Sequence, residues 1–282
     1  MEIKASDVKA LREKTGAGMM ECKNALVETQ GDFPKAEKLL KEKGLAAVEK
    51  RADRATNEGK IFVEVKKDKA ILVELACETD FVSRNDDFKK LGDAVLERTY
   101  EKGYTAVNDE LAGMVTDLAT KIRENMSLKR VTVLPLGAND YAVNYIHGDG
   151  RIGVVVKISA DKKEALGDER VKTFAFDIAL HIAAFNPMAL DRAKISAEHI
   201  SEQEDIFRKQ IEGDEKMKGK PANVVENILK GKVNKYLADI CLLDQGFVKD
   251  EKQTVARVLA DLGKQVGANL SIADYVYFRV GE

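Results

Sequence analysis

D-K-A-I-L-V-E-L (68–75) returns later in the chain as D-G-R-I-G-V-V-V (149–156). Each copy lies beside another apolar run and a short polar turn, so each predicts a β-hairpin. A second pair of blocks, E-N-M-S-L (124–128) and A-N-L-S-I (268–272), occurs in the same order. The two matches indicate that one unit of antiparallel strands and helices is present twice, which predicts an α+β fold.

The distance between the two copies grows along the chain. The hairpin blocks are 81 residues apart, whereas Asn125 and Asn269 in the later blocks are 144 residues apart. The excess of 63 residues predicts an insertion of that length in the second copy, near residues 190–250.

The insertion carries two amphipathic stripes, which predict an antiparallel helical hairpin over about residues 195–243. Gly219-Lys220-Pro221 lies between the stripes and predicts the chain reversal. The apolar residues of the stripes are Ile200, Phe207 and Ile211 in the first arm, and Val225, Leu229, Val233, Tyr236 and Ile240 in the second.

Three short helices with tight loops are predicted before the first hairpin. Ser6 is placed to cap the first helix, and G-A-G (16–18) breaks it. Pro34 falls in the first turn of the third helix, and Lys43-Gly44 predicts its end. A bundle of about 45 residues is small for independent stability, so we expect it to dock beside a larger body.

These patterns divide the chain into four predicted segments. A three-helix docking bundle occupies residues 1–47, and a charged linker occupies residues 48–59. The first half of the duplicated core spans residues 60–138. The second half spans residues 139–282 and includes the helical-hairpin insertion.

The composition is that of an ordinary globular chain. Its 282 residues are 44% hydrophobic and 33% charged, with a formal net charge of −2. This balance gives no general signal for nucleic-acid or membrane binding. No apolar run approaches the roughly 18 residues of a membrane span, and the three scattered cysteines are typical of reduced thiols. We therefore expect a soluble, cytoplasmic protein.

Two nucleotide-binding patterns fail on their context. H-G-D-G-R-I-G (147–153) formally contains a dinucleotide motif, but a strand-like run follows where that motif requires a helix. Asp149-Gly150 predicts a hairpin turn instead. The P-loop-like run that begins at Gly213 has one residue too many between its glycines, and Pro221 stands where a Ser or Thr would hold magnesium.

The chain also lacks a recognisable catalytic constellation. None of its three histidines pairs with a cysteine or a carboxylate at the spacing of a metal site or a catalytic triad. His181 lies in the apolar run D-I-A-L-H-I-A-A, where a core or interface position is expected. We therefore expect no enzyme and no cofactor, but a protein that works by binding another protein.

T-D-F-V (79–82) follows the second predicted strand and begins a predicted polar loop. Its phenylalanine, Phe81, has two interpretations. It packs inward as a hydrophobic staple just before a helix, or the loop displays it to another molecule. The polar run S-R-N-D-D and an expected cap at Asp86 break the helical register between Phe81 and Phe88. The residues alone leave both interpretations open.

The longest motif is L-R-E-K-T-G-A-G-M-M-E-C-K-N-A-L (11–26), which resembles the N-terminal signature of the translation elongation factor Ts family. T-D-F-V resembles the second signature of that family, and H-G-D-G-R-I-G-V-V-V, H-I-A-A, G-K-P and C-L-L-D-Q-G-F-V resemble further blocks in order. Three positions depart from the pattern: Glu21 replaces a common aspartate, Asn24 a frequent lysine, and Arg123 a common glycine. The last departure leaves the family's contact at that glycine open.

The resemblance implies a guanine-nucleotide exchange factor of elongation factor Tu. Such a factor binds the GDP form of its partner, disturbs the magnesium and phosphate site, and promotes GDP release so that GTP can bind. The bundle would be of the ubiquitin-associated type and dock on the partner's GTPase domain. The core would touch that domain and a β-barrel domain, with no direct binding of nucleotide, nucleic acid or membrane. Both a homodimer and a two-plus-two complex stay open.

The resemblance also implies which residues make these contacts. Thr79, Asp80, Phe81 and Val82 would act on the partner's magnesium site, which favours the display of Phe81. The other implied contacts are Met19, Met20, Lys23, Ile122 and His147. From the residues alone, the two methionines fit a helix core equally well, Lys23 fits a solvated lysine, and His147 fits a hairpin turn.

Two other classes of protein are alternatives. An adaptor would use the bundle to bind ubiquitin-like proteins or peptides, but the resemblance extends over the whole chain. An RNA-binding translation factor would need a basic face with exposed aromatic residues, which the near-neutral charge disfavours.

Overall fold

A computed structural model describes residues 3–217 and 220–282. Its first part contains α1 (Ala5–Thr15), α2 (Met19–Glu28), α3 (Phe33–Glu49), β1 (Glu58–Val65), β2 (Lys69–Cys77), α4 (Asp80–Ser83), α5 (Asp86–Lys102), α6 (Asp109–Ile122) and β3 (Met126–Pro135). Its second part contains β4 (Asp140–His147), β5 (Ile152–Ala160), α7 (Glu169–Phe185), α8 (Ala197–Gly213), α9 (Ala222–Ile240), β6 (Gly246–Phe247), β7 (Asp250–Thr254), α10 (Val255–Val266) and β8 (Leu270–Arg279). The predicted α+β class is confirmed.

The two parts repeat one arrangement of elements. The first sheet has the order β1-β2-β3 and the second has the order β4-β5-β8, and all pairs are antiparallel. In each part a hairpin is followed by helices and then by the third strand. The insertion with α8 and α9 lies between α7 and α10, where the change in repeat spacing predicts it.

The core has four layers. The two sheets face each other across a cluster that includes Ile61, Leu72, Val155 and Phe278. Helices α5 and α6 cover the outer face of the first sheet, and α7 and α10 cover the outer face of the second. Because β2 is covered on both faces, its apolar run lacks the alternation of a half-exposed strand.

The N-terminal bundle forms around buried Leu11, Cys22 and Leu26. Its first boundary differs from the prediction, because α1 begins at Ala5 and Ser6 lies inside the first turn. Lys4 is the N-cap residue, and its side chain makes no capping hydrogen bond. The capping assignment of Ser6 is therefore wrong.

Helix α3 passes through the predicted stop at Lys43-Gly44 and ends at Glu49. The glycine marks a close approach between helices, since a Cβ atom at this position would lie 3.3 Å from Cβ of Thr120 in α6. The same helix carries Val48 into the core of the first part. The bundle is thus joined to the core by a continuous helix, and β1 begins inside the segment predicted as a linker.

The helical hairpin is formed by α8 and α9. The eight apolar residues of its predicted stripes all belong to one cluster between these helices, which confirms that interpretation. Of the predicted reversal, Gly219 lies outside the described residues, and Lys220-Pro221 directly precedes α9.

His181 is fully buried in α7, which confirms its expected core position. Its Nε2 atom lies 2.8 Å from Oε1 of Gln245, and the Phe185 ring centroid is 4.7 Å from the imidazole. Within the described part of the chain, Nδ1 is buried and makes no hydrogen bond. Burial lowers the pKa of His181, and the bond to Gln245 opposes this only in part.

We expect the stability of the protein to fall as the pH drops below about 6.5, the ordinary pKa of histidine. Because the folded pKa of His181 is the lower one, the unfolded chain binds more protons between the two values, and stability rises with pH in that window. Urea unfolding across this range tests the slope, which His181→Leu should reduce. His199→Leu serves as the control, and an unchanged slope in the His181 variant would contradict the assignment.

Candidate partner-binding surface

The T-D-F-V segment forms a single helical turn, α4, instead of the predicted loop. Thr79 is its N-cap: the backbone N–H of Val82 donates to Oγ1 of Thr79 at 3.4 Å. The next helix is capped by Asn85, whose side chain accepts from the N–H of Asp87 at 2.8 Å. The expected cap at Asp86 is therefore wrong by one residue, because Asp86 is the first residue of α5.

Two residues anchor this turn from below. Val82 is buried in the core of the first part, and Ser83 is buried beside it. The Ser83 hydroxyl donates to the backbone oxygen of Asp80 at 3.0 Å, which closes the turn on itself. Val82, which the resemblance assigns to the contact surface, thus has a side chain that supports the turn from inside.

Phe81 is 83% exposed, the largest exposed fraction among the large apolar side chains of the described residues. Successive side chains on a helical turn point about 100° apart, so burying the next two residues turns Phe81 outward. The staple interpretation is therefore wrong. A stiff aromatic ring displayed on an anchored turn is a feature of a binding surface.

Glu124 holds the start of the turn, and it was not singled out from the sequence. Its carboxylate accepts three hydrogen bonds: from the N–H of Glu78 at 3.2 Å, and from the N–H and hydroxyl of Thr79 at 3.0 and 2.6 Å. The repeat contained a signal for this residue. Glu124 begins the block E-N-M-S-L, whereas the second copy has Ala268 at the matching position, so the carboxylate is specific to the first copy.

Cys77 supports the same turn from the end of β2. Its Sγ atom lies 3.2 Å from the backbone oxygen of Thr79, to which the thiol donates. Burial raises the pKa of the Cys77 thiol to about 12, and the nearby Glu124 carboxylate acts in the same direction. The thiol therefore remains protonated and keeps its role as a donor at neutral pH.

Asp80 lies beside the displayed ring. Its carboxylate pairs with Arg84 one turn later, with 3.2 Å between Oδ2 and Nη2, and the side chain is about half exposed. A partly exposed pair of this kind contributes little to stability. The carboxylate thus remains accessible next to Phe81.

The hairpin turn over 148–151 presents His147 at the end of β4. Gly148, Asp149 and Gly150 all have a positive φ, which favours glycine and explains the two glycines in this turn. His147 is exposed, and its Nδ1 lies 2.9 Å from the hydroxyl of Tyr145. The hairpin turn predicted at Asp149-Gly150 is confirmed, and the strand β5 follows it.

The first part of the core holds this turn of the second part. The buried Lys60 ammonium in β1 bonds the Asp149 backbone oxygen at 2.6 Å and its carboxylate at 2.7 Å. That bond holds the pKa of Asp149 below its ordinary value, and Lys89 and Arg84 add to the effect. Strand β1, which carries Lys60, packs against both α4 and β4.

Helix α2 exposes an apolar face. Met19 and Met20 are 46% and 63% exposed, so the core interpretation of these methionines is wrong. Lys23 is exposed on the same helix, and Val27, four residues later, is 57% exposed. Val27 was missed by sequence reasoning, although its helical spacing from Lys23 and Met20 was visible. These exposed apolar side chains make α2 a candidate binding surface.

Ile122 is placed differently from the other implied contacts. It is the last residue of α6, and its half-buried side chain packs against the core of the first part. The structure therefore does not bring this side chain out beside Phe81.

Comparison with known proteins gives a consistent result. The family model described as Elongation factor TS matches residues 78–282 of the chain. A relative named Elongation factor Ts from Treponema denticola is 47% identical over all of this chain and 99% of its own length. Relatives of the same name from Treponema pallidum subsp. pallidum and Clostridium acetobutylicum are 43% and 41% identical, and they are covered over 99% and 93% of their lengths.

The chain belongs to the elongation factor Ts family. This membership implies guanine-nucleotide exchange on elongation factor Tu during translation elongation.

Two of the positions that depart from the pattern of the elongation factor Ts family contact each other. Arg123 follows α6 as its C-cap with φ 69°, the left-handed conformation that glycine adopts most readily. Its guanidinium bonds the carboxylate of Glu21 in α2. The backbone conformation suited to a glycine is thus retained, and the added side chain reaches the bundle.

The described residues of this elongation factor Ts family member contain no group of three or more His, Cys, Asp or Glu side chains placed to hold a metal ion. Nor is any helix within 3–217 or 220–282 both long enough and apolar enough to cross a membrane.

Proposed function

We propose that this chain binds the GDP form of elongation factor Tu, disturbs its magnesium and phosphate site, and thereby releases GDP so that GTP can bind. The observation that carries the proposal is the display of Phe81 on a turn anchored by Glu124, Cys77 and Val82. An apolar ring held outward in water gains most when a partner covers it.

The physical basis lies in how a P-loop GTPase holds Mg²⁺. Such a site uses few protein ligands and several waters, and its geometry depends on the groups that orient those ligands. A rigid wedge between the supporting helices therefore weakens the metal without touching the nucleotide. Phe81 fits this role, since its ring has few rotamers to freeze. Thr79 and Asp80 beside it would bond the partner's backbone or hold the turn.

The remaining contacts are proposed on separate surfaces. Met19, Met20 and Lys23 on α2 would dock on the GTPase domain of the partner, and Val27 extends the same face. His147, on its braced hairpin turn, would face the partner's β-barrel domain. Ile122 would contribute from the end of α6 mainly by supporting the adjoining segment.

Exchange by this route is reciprocal. If the factor weakens GDP binding by some ratio, GDP weakens binding of the factor by the same ratio. Both nucleotides then enter and leave through the ternary complex, and the more abundant nucleotide refills the site. The factor accelerates exchange without setting its direction, so the chain acts by contact in the cytoplasm and not as an enzyme.

The proposed organisation follows the layout of the chain. Residues 1–47 serve as the docking unit, and residues 60–138 and 139–282 form the two core halves. Residues 48–59 connect the docking unit to the first core half. The helical hairpin near 195–243 projects from the second half. Both a homodimer and a two-plus-two complex with the partner are compatible with these surfaces.

Release of fluorescent GDP from purified elongation factor Tu tests the function directly. Addition of this protein should accelerate release strongly in the presence of Mg²⁺. The stimulation should shrink when EDTA removes the metal first, because the wedge then has less to disrupt. Absence of stimulation would contradict exchange activity, whereas full stimulation in EDTA would contradict the magnesium mechanism alone.

A further inference from the structure

The two residues that follow α6 lie between two of the proposed contact surfaces. The side chain of Arg123 bonds Glu21 in α2, the helix that exposes Met19 and Met20. The side chain of the next residue, Glu124, bonds Thr79 at the start of the Phe81 turn. Adjacent residues on one short segment thus reach both surfaces.

The contact of Arg123 is made at the beginning of α2. The Glu21 carboxylate that it bonds also accepts from the N–H of Gly18 at 3.0 Å, which caps the helix. The backbone oxygen of Arg123 accepts from Nη1 of Arg51 at 2.9 Å, close to the end of α3. Arg123 therefore ties the core to α2 and to the segment just after α3, through different atoms.

Close packing surrounds this contact. A Cβ atom on Gly18 would lie 3.1 Å from Nη2 of Arg123, and one on Gly16 would lie 3.2 Å from Cγ of Lys121. The turn between α1 and α2 therefore rests directly on the end of α6. The groove beside it has both charged and apolar lining residues, among them Lys14, Glu37, Leu40, Leu45, Asp117 and Lys121. Polar bonds and apolar contacts therefore share the docking of the bundle on α6.

Backbone conformation supports a specific role for Arg123. A positive φ is unfavourable for a residue with a Cβ atom and persists where surrounding contacts hold it. Glycine would adopt this conformation without strain, whereas arginine adopts it at a local cost. The bond to Glu21 is the side-chain contact that can offset this cost.

We propose that Arg123 and Glu124 are positioning residues that hold the α2 surface and the Phe81 turn at one fixed relative geometry. This inference rests on the proposed function, in which both surfaces meet one partner. A partner that must be engaged at both sites binds more tightly when the two are held in place beforehand.

The decisive variant is Arg123→Gly, which removes the bond to Glu21 while relieving the backbone strain. The variant should unfold at the same or a higher urea concentration than the parent. Hydrogen exchange of the amides in α1 and the start of α2 should nevertheless become about two- to fivefold faster, the range expected for an exposed ion pair. Affinity for elongation factor Tu bound to GDP should fall by a similar factor.

Two matched variants complete the experiment. Arg98→Met removes an exposed ion pair with Glu110 that joins two elements of the core, and it should change neither readout. Glu124→Gln replaces the carboxylate that accepts three hydrogen bonds. It should therefore speed hydrogen exchange of the amides around residues 78–83 and leave hydrogen exchange in α2 unchanged. About 1 M NaCl should make the parent resemble Arg123→Gly, because salt screens exposed pairs.

Unchanged hydrogen exchange in α2 of the Arg123→Gly variant would overturn the proposal. So would a fall in affinity for elongation factor Tu without faster hydrogen exchange. Hydrogen exchange is measured on the free protein, so its result does not depend on the partner. If the parent fails to bind elongation factor Tu, the proposed function fails. The hydrogen-exchange data still decide whether Arg123 docks the bundle.

Discussion

Replacing Phe81 by alanine is expected to leave the fold intact and to remove most of the stimulation of GDP release. The ring is 83% exposed, so its loss leaves no cavity, and the free energy of unfolding should stay within about 0.5 kcal/mol of the parent. An aromatic anchor buried in a partner pocket contributes about 2 kcal/mol or more. The rate of GDP release at limiting factor should therefore fall about 30-fold.

Val107→Ala is the matched control for this experiment. Val107 is also an exposed apolar residue of the first core part, at 41%, and it lies away from the T-D-F-V turn in the loop before α6. Its loss should leave GDP release unchanged. Full stimulation by Phe81→Ala would remove the ring from the mechanism. A large loss of stability would instead mean that the ring packs against its own chain.

Gly92→Ala is expected to destabilise the protein by about 2–3 kcal/mol, whereas Gly113→Ala should stabilise it by about 0.5–1 kcal/mol. Both glycines lie inside helices, α5 and α6. A Cβ atom on Gly92 would lie 2.2 Å from the ring of Phe62 in β1, so the ring or the helix must move. A Cβ atom on Gly113 would meet nothing within 4 Å, and alanine favours the helix.

Urea unfolding of the two variants measures this difference, and each serves as the control for the other. The sign of the effect is the test, since helix propensity alone predicts stabilisation at both sites. Stabilisation by Gly92→Ala would show that Phe62 yields without cost. Because Phe62, Phe88 and Val82 share one core, we also expect Gly92→Ala to weaken the support of the Phe81 turn.

Much of the architecture follows from local pattern. Apolar spacing alone locates the hairpins, the principal helices and the two arms of the insertion. The change of repeat spacing places that insertion between α7 and α10. These predictions succeed because periodicity reports which face of an element is buried, and burial is what drives each element to pack.

Two of the errors arise where a distant contact overrides a local signal. Lys43-Gly44 predicts a helix end, but α3 continues to Glu49. The glycine is needed there because α6 packs so closely that a side chain at position 44 would crowd Thr120. T-D-F-V is predicted as a loop, but packing of Val82 in the core and the bonds of Thr79 to Glu124 hold it as a helical turn. In both places the deciding partner lies outside the window that sequence patterns examine.

The sequence by itself determined the α+β class, the duplication, the helical-hairpin insertion and the resemblance that named the family. Only the tertiary structure decided that Phe81 is displayed and how its surroundings are held. The bonds responsible join residues far apart in the chain: Thr79 to Glu124 over 45 residues, Lys60 to Asp149 over 89, and Glu21 to Arg123 over 102. Periodicity encodes which side of an element faces inward, whereas such contacts exist only after the elements have packed.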